Sequence, residues 1–273
     1  MGLPTQALYP ICHDHKHTAF EGPLLVLGQP HFTMRQGDAP AFLRMVGIEP
    51  DPRAEAALEP GADLNARAFF GLLGIHDVEI LDVDPYQGAE IIVDLNEPIP
   101  KKYHGRFKTV LDSGTMEHVF DLRTGLSNLV KLLAVGGRVV HQNPCNNYVN
   151  HGFFQVSPTL YFDYYAANGF DDLRACFVVQ PRSAALTTAW NFVAYHDELF
   201  WGLNSVMCPE STQLGLHFHA RKKIESKGTK APIQHYFQRF AAKDRAWLAN
   251  QRRFVIRHTP EAPQLEDIGM LEP

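Results

Sequence analysis

LDSGTMEHVFD, residues 111–121, is the stretch on which the reading of this chain turns. The apolar run FKTVL that leads into it stops at Asp112 and then at Gly114, and an adjacent Glu117-His118 pair follows. A hairpin turn needs only the glycine, and a helix cap needs only the aspartate or the serine. Thr115, Glu117 and His118 exceed both needs, so the end of this strand calls for a chemical explanation.

Outward from that stretch, apolar runs of strand length alternate with helical stretches, the pattern of a parallel sheet with covering helices. Strands are predicted at 23–28 (PLLVLG), 78–84 (VEILDVD), 89–95 (AEIIVDL), 107–112 (FKTVLD) and 137–143 (GRVVHQN), with later ones at 173–180 and 214–222. Their unbroken hydrophobicity fits strands buried on both faces. Helices are predicted at 63–74, capped by Asp63 and stopped by Gly74, and at 123–137, closing at Gly136-Gly137. A third, at 157–170, takes Ser157 as N-cap with Pro158 at its first position.

The organisation expected is an N-terminal extension (1–21), a main domain (22–222) with an aromatic-rich insertion at about 181–212, and a C-terminal helix and tail (223–273). The helix is placed at 233–254 by the spacing of its aromatics, and the proline-bearing end reads as an extended tail. The insertion reads equally as a lid, as part of a substrate pocket, or as an ordinary packed segment.

Hydrophobic residues make up 45% and charged residues 20% of the 273, and the net charge is -5. An acidic balance argues against a nucleic-acid role, since phosphate binding needs a basic face. The basic groups at Arg221, Lys222, Lys223 and at Arg252, Arg253 read as solvated surface. No apolar run reaches the ~18 residues of a membrane span, and the first residues lack the pattern of a signal peptide. Cys12, Cys145, Cys176 and Cys208 are widely spaced, which suits a reduced, cytoplasmic protein.

In an open parallel sheet, ligands sit beyond the carboxyl ends of the strands. Those ends are polar one after another here: Asp82 and Asp84, then Asp94, then Asp112, then His141, Gln142 and Asn143. An acid ending the second strand can accept both hydroxyls of a ribose, and the turn after the third can read an adenine edge. Together they favour a nucleoside-type ligand.

In its order of elements the chain resembles the class I S-adenosylmethionine-dependent methyltransferases, in a bacterial small-molecule or glycan-modifying branch. LDVD, IIVDLNEPIP and LDSGTMEHVFD carry the resemblance, followed by LVKLLAVGGRVVHQNP, NHGFFQVSP and ANGF. It spans about residues 22–222 and implies a Rossmann-like, doubly wound α/β fold with a mostly parallel seven-stranded sheet. The cofactor it implies is S-adenosylmethionine, held by Gly28, Asp82, Asp94, Leu95 and Glu117, with Asp112, Ser113, Gly114 and Thr115 near the sulfonium. Glu117 and His118 read also as the first turn of a helix. The chain departs from the family in its first turn: LGQPHF keeps Gly28 alone of the usual glycines, and Pro30 has no N–H to donate.

The acceptor expected is a small molecule or saccharide methylated at a hydroxyl oxygen, with His151 as base and His118 next in line. His141, a third candidate on the same face, lies inside the strand and reads also as a satisfied core residue. Phe153, Phe154 and Tyr161 are candidate apolar walls. The alternating His13, His15 and His17 would share one face of a strand but offer no preformed metal geometry; no metal is expected, although Asp112 keeps that option open. N- or carboxyl-methylation, and a non-catalytic binding protein without the glycine motif, are the alternatives. Oligomeric state is not readable from these residues.

Overall fold

A computed structural model describes residues 2–181, 191–195, 212–235, 252–258 and 263–270. In chain order the strands and helices begin with β1 (Gly2–Leu3), α1 (Leu8–His17), β2 (Leu24–Leu27), β3 (His31–Phe32), α2 (Ala39–Met45), α3 (Pro52–Ala56) and α4 (Ala66–Leu72). Next come β4 (Val78–Asp82), β5 (Ile91–Ile92), β6 (Phe107–Asp112), α5 (Leu122–Leu132), β7 (Leu133–Asn146) and α6 (Pro158–Ala167). The last are β8 (Phe170–Pro181), β9 (Asn191–Tyr195), β10 (Thr212–Lys222), β11 (Arg252–His258) and β12 (Pro263–Met270).

The main sheet runs β5-β4-β2-β6-β7-β10-β8-β9. Strands β5, β4, β2, β6 and β7 pair in parallel, while β10 is antiparallel to both β7 and β8. All seven predicted strands are in this sheet. An eighth, β9, extends the edge from within the stretch read as an insertion and pairs antiparallel with β8. The rest of that insertion, 182–190 and 196–211, lies outside the described residues.

Alternate side chains of each central strand enter opposite cores, which explains the unbroken hydrophobic runs. Leu25, Leu27, Val110 and Val139 pack under α5 and α6 with Leu126, Leu129, Tyr161 and Tyr165. Leu24, Val26, Leu111 and Val140 pack under α1, α2 and α4 with Ile11, Leu43, Phe69 and Phe70.

Several boundaries differ from expectation. Asn65, not Asp63, caps α4, accepting from the Ala68 N–H, because Asp63 is drawn off into an ion pair with Arg35. Helix α5 stops at Leu132 because Leu133 is already extended and pairs with Phe107; Asp121 caps its start through the Thr124 N–H. Ser157 makes no side-chain cap, although Pro158 does open α6. The third strand narrows to Ile91–Ile92 because Asp94 folds the chain into a turn, accepting from the Asn96 N–H.

The histidine-rich N-terminal stretch is helical rather than extended, so His13, His15 and His17 do not share a strand face. This segment is also built into the core: Asp14 is buried against Arg174, His217 and His219 from β8 and β10. Most of the predicted C-terminal helix, 236–251, lies outside the described residues, and 252–254 open β11 instead. The supposed extended tail pairs back on β11 as β12, in an antiparallel hairpin.

Candidate active site

The carboxyl ends of β2, β4 and β6 meet around Gly28. Its φ of +68° is readily available to glycine, and its N–H donates to the Leu81 carbonyl at 2.7 Å. A Cβ built there would lie 3.3 Å from Thr115 Oγ1 and 3.8 Å from Asp82 Oδ2. Asp82 is half-buried, with Oδ1 accepting from the Val83 N–H at 2.7 Å. Asp84 is exposed and caps its own turn through the Tyr86 N–H. Asp94 is exposed, and Leu95 is buried in the core. Gln29 Oε1, one residue on from Gly28, is buried without a hydrogen-bond partner.

Asp112 departs from expectation. Its carboxylate is fully buried and turned inward, so no part of it is offered to a ligand. Oδ1 accepts from the N–H groups of Thr115 and Met116 at 2.8 and 3.2 Å. Oδ2 takes the Asn143 amide at 2.9 Å and lies 2.7 Å from His141 Nδ1. His141 Nε2 is 2.6 Å from the Tyr165 hydroxyl, and its ring stacks on Tyr161 at 4.2 Å between centroids. The Asp112 carboxylate calls for a proton on His141 Nδ1, and the Tyr165 hydroxyl satisfies the other ring nitrogen. His141 is therefore a satisfied core residue, as its place inside the strand suggested, and Tyr161 belongs to this network rather than to an apolar wall.

Asp112 thus explains the first half of LDSGTMEHVFD. With Gly114 at φ +85°, it caps the one-turn helix Met116–His118, which aims Glu117 inward and His118 outward. Glu117 is fully buried, which again differs from the cofactor-lining role expected of it. Its Oε2 accepts from Asn143 at 3.0 Å, whereas Oε1 has no hydrogen-bond partner. Oε1 faces two imidazoles instead, His151 Nε2 at 3.5 Å and His118 Nε2 at 4.0 Å. The main-chain carbonyl of Glu117 accepts from the N–H groups of Phe153 and Phe154, which clamps the loop after β7 onto this turn. Gly152 permits the approach, since a Cβ there would lie 2.9 Å from both Glu117 Cγ and its carbonyl oxygen.

Burial, then the charge of Asp112, pushes the Glu117 carboxyl up to about 8. Desolvation lowers His118 and His151, with the two imidazoles also opposing each other's charge at His118. Both are therefore neutral near pH 7. The shift at Glu117 has a consequence for stability. Its folded pKa exceeds the unfolded one, so the unfolded chain ionises first and stability falls as pH rises from about 4.5 to about 8. Glu117→Gln, which cannot ionise, is expected to flatten that decline in urea titrations across the window; an unchanged slope would show that Glu117 does not carry it.

Beside His151 a cavity of about 410 Å³ opens over the ends of β6 and β7. Ser113, Asn143, Tyr148 and Gln180 contribute polar lining, and the segment Gly2 to Ala7 walls one side. Of the expected apolar walls, Phe153 is exposed and meets Phe120 edge-on at 5.4 Å. The sequence marked Asn143 only as a polar strand end and gave no role to Gln29 or Tyr165; the partners of Asn143 and Tyr165 come from other segments.

No family model and no curated protein matches the sequence. Among solved structures, the chain is 15% identical to a possible histamine N-methyltransferase from Thermotoga maritima, with 79% of this chain and 89% of that one covered and a TM-score of 0.38. A SAM-dependent methyltransferase from Archaeoglobus fulgidus is 15% identical over 78% and 93%, with a TM-score of 0.39. The 1,6-didemethyltoxoflavin-N1-methyltransferase of Burkholderia thailandensis, bound to S-adenosylhomocysteine, is 13% identical over 81% and 78%, at 0.34. These likenesses are too low to carry an acceptor or a reaction across, and the sheet itself carries the assignment. The strands of the expected Rossmann half follow the doubly wound order, with β2 at the switch point and the reversed β10 lying between β7 and β8. In fold, the chain is a Rossmann-like, doubly wound α/β protein.

Proposed function

We propose that the protein binds S-adenosylmethionine across the ends of β2, β4 and β5 and transfers its methyl group to a small molecule or saccharide held in the cavity beside His151. The observation that carries this reading is Asp82, a half-buried strand-end acid whose Oδ2 lies beside the glycine turn at Gly28. A ribose diol suits it, and Asp94 and Leu95 follow on the next strand for the adenine. Pro30 removes a backbone donor that the methionine end would use, while the buried, unpartnered Gln29 Oε1 supplies an acceptor for its ammonium.

When bound, the cofactor supplies an electrophilic methyl group; the chain's own task is alignment and, for a hydroxyl, proton removal. The neutral imidazole of His151 at the cavity edge supports oxygen as the accepting atom, since an amine or carboxylate acceptor needs less help. Among the described residues no helix is long and apolar enough to cross a membrane.

Calorimetry with S-adenosylhomocysteine tests the reading. Asp82→Ala should weaken binding by about 10- to 100-fold, for charge-assisted hydrogen bonds worth roughly 1.5–3 kcal/mol. Unchanged affinity in the folded variant would remove the ribose assignment. Neither heat nor thermal shift with the parent protein would favour the non-catalytic binding reading, which the altered first turn motivates.

A further inference from the structure

We infer that Glu117, His118 and His151 form a site for one divalent transition-metal cation of the zinc class at the rim of the acceptor cavity. Their donor atoms all lie within 4.8 Å of one another. Tetrahedral ligands at zinc distances of about 2.0–2.1 Å stand roughly 3.3 Å apart. Glu117 Oε1 and His151 Nε2 are already 3.5 Å apart, and His118 Nε2, on a half-exposed ring, is 4.0 Å from the same oxygen.

The second observation is independent of the grouping. Glu117 Oε1 belongs to a fully buried side chain, has no hydrogen-bond partner, and faces the two imidazoles. A buried carboxyl oxygen left without a hydrogen-bond partner is costly, and a cation that displaced the carboxyl proton and lay between that oxygen and the imidazoles would satisfy it. The other Glu117 oxygen is held by Asn143, itself held by Asp112 and Tyr161, a supporting layer of the kind that orients metal-binding carboxylates. Gly152 permits the close packing of His151's loop on Glu117. Imidazole and carboxylate donors together suit zinc and its neighbours better than magnesium or calcium.

Three protein ligands leave a coordination position open towards the cavity that His151 lines. An acceptor hydroxyl bound there would be acidified and release its proton to solvent. Its oxygen would then form the bond to the methyl carbon as the carbon–sulfur bond breaks and the sulfonium leaves as a neutral thioether. His151 would serve as ligand in that state rather than as base. The inference rests on the methyltransferase reading only for what enters the open position.

The test titrates zinc, and then S-adenosylhomocysteine, into the same chelator-treated full-length protein by calorimetry, with cobalt substitution read by its visible spectrum. One zinc per chain is expected, with four- or five-coordinate cobalt bands. Affinity should fall by roughly 100-fold or more in His118→Ala, whose half-exposed ring can be lost without unfolding the chain, and in Glu117→Gln. Absence of stoichiometric zinc binding by the folded parent would overturn the site. Binding of equal strength in His118→Ala would overturn it too, by placing the ion on other groups such as those of the N-terminal helix. Retained S-adenosylhomocysteine binding without zinc would sink the metal site alone, whereas zinc without S-adenosylhomocysteine would sink the methyltransferase reading alone.

Discussion

His151→Ala is expected to slow methyl transfer by about 10²–10⁴-fold while leaving S-adenosylhomocysteine binding nearly intact. The imidazole lines the cavity proposed for the acceptor, on the loop after β7, whereas the acid proposed for the ribose lies across the sheet at the end of β4. Desolvation holds His151 below its ordinary range, so the parent rate should climb with pH only on the acid side of that range and already be level near neutrality. The alanine variant should lose that acidic limb. Glutamine can restore a hydrogen bond to the acceptor without taking its proton, so His151→Gln should remain slow. The measurement needs an acceptor found by screening sugars and phenols for cofactor-product release. Parent-like rates in both variants would make His151 a loop residue and move attention to His118.

Asp112→Ala should be a stability variant before it is a binding variant. The buried carboxylate holds the Thr115 and Met116 N–H groups, the Asn143 amide and the His141 ring. Alanine would orphan all of these inside an apolar layer, at about 3–5 kcal/mol, which corresponds to roughly 6–20 °C in Tm for a chain of this size. Asparagine keeps an acceptor for the two backbone groups and should cost less. Had Asp112 served chiefly to line the cofactor, alanine would lower S-adenosylhomocysteine affinity at unchanged Tm. That pattern in a melting curve and a titration would overturn the structural role.

The sheet was legible in the residues because its central parallel strands are apolar on both faces and punctuated by polar ends. Burial on two sides leaves continuous runs such as FKTVL and LLVL, and local composition suffices to find them. The strand-end position of Asp82 was legible for a similar reason, since an acid closing an apolar run is a local fact. The helix boundaries were less so: Asp63 looks as good a cap as Asn65 until Arg35 takes it into an ion pair. Which way a strand-end acid points depends on what the next strand presents at the same level. Asp112 pairs in register with His141, and Asn143 stands two residues further on, so the carboxylate turns inward where the sequence suggested a ligand. The joining of Asp14 to His217 spans 203 positions and has no local signature at all. Glu117 and His151 meet only because Gly152 lets one loop lie against another. Composition and period record what each segment buries; which polar side chains face one another is decided when strands and loops dock, and that choice belongs to the tertiary structure.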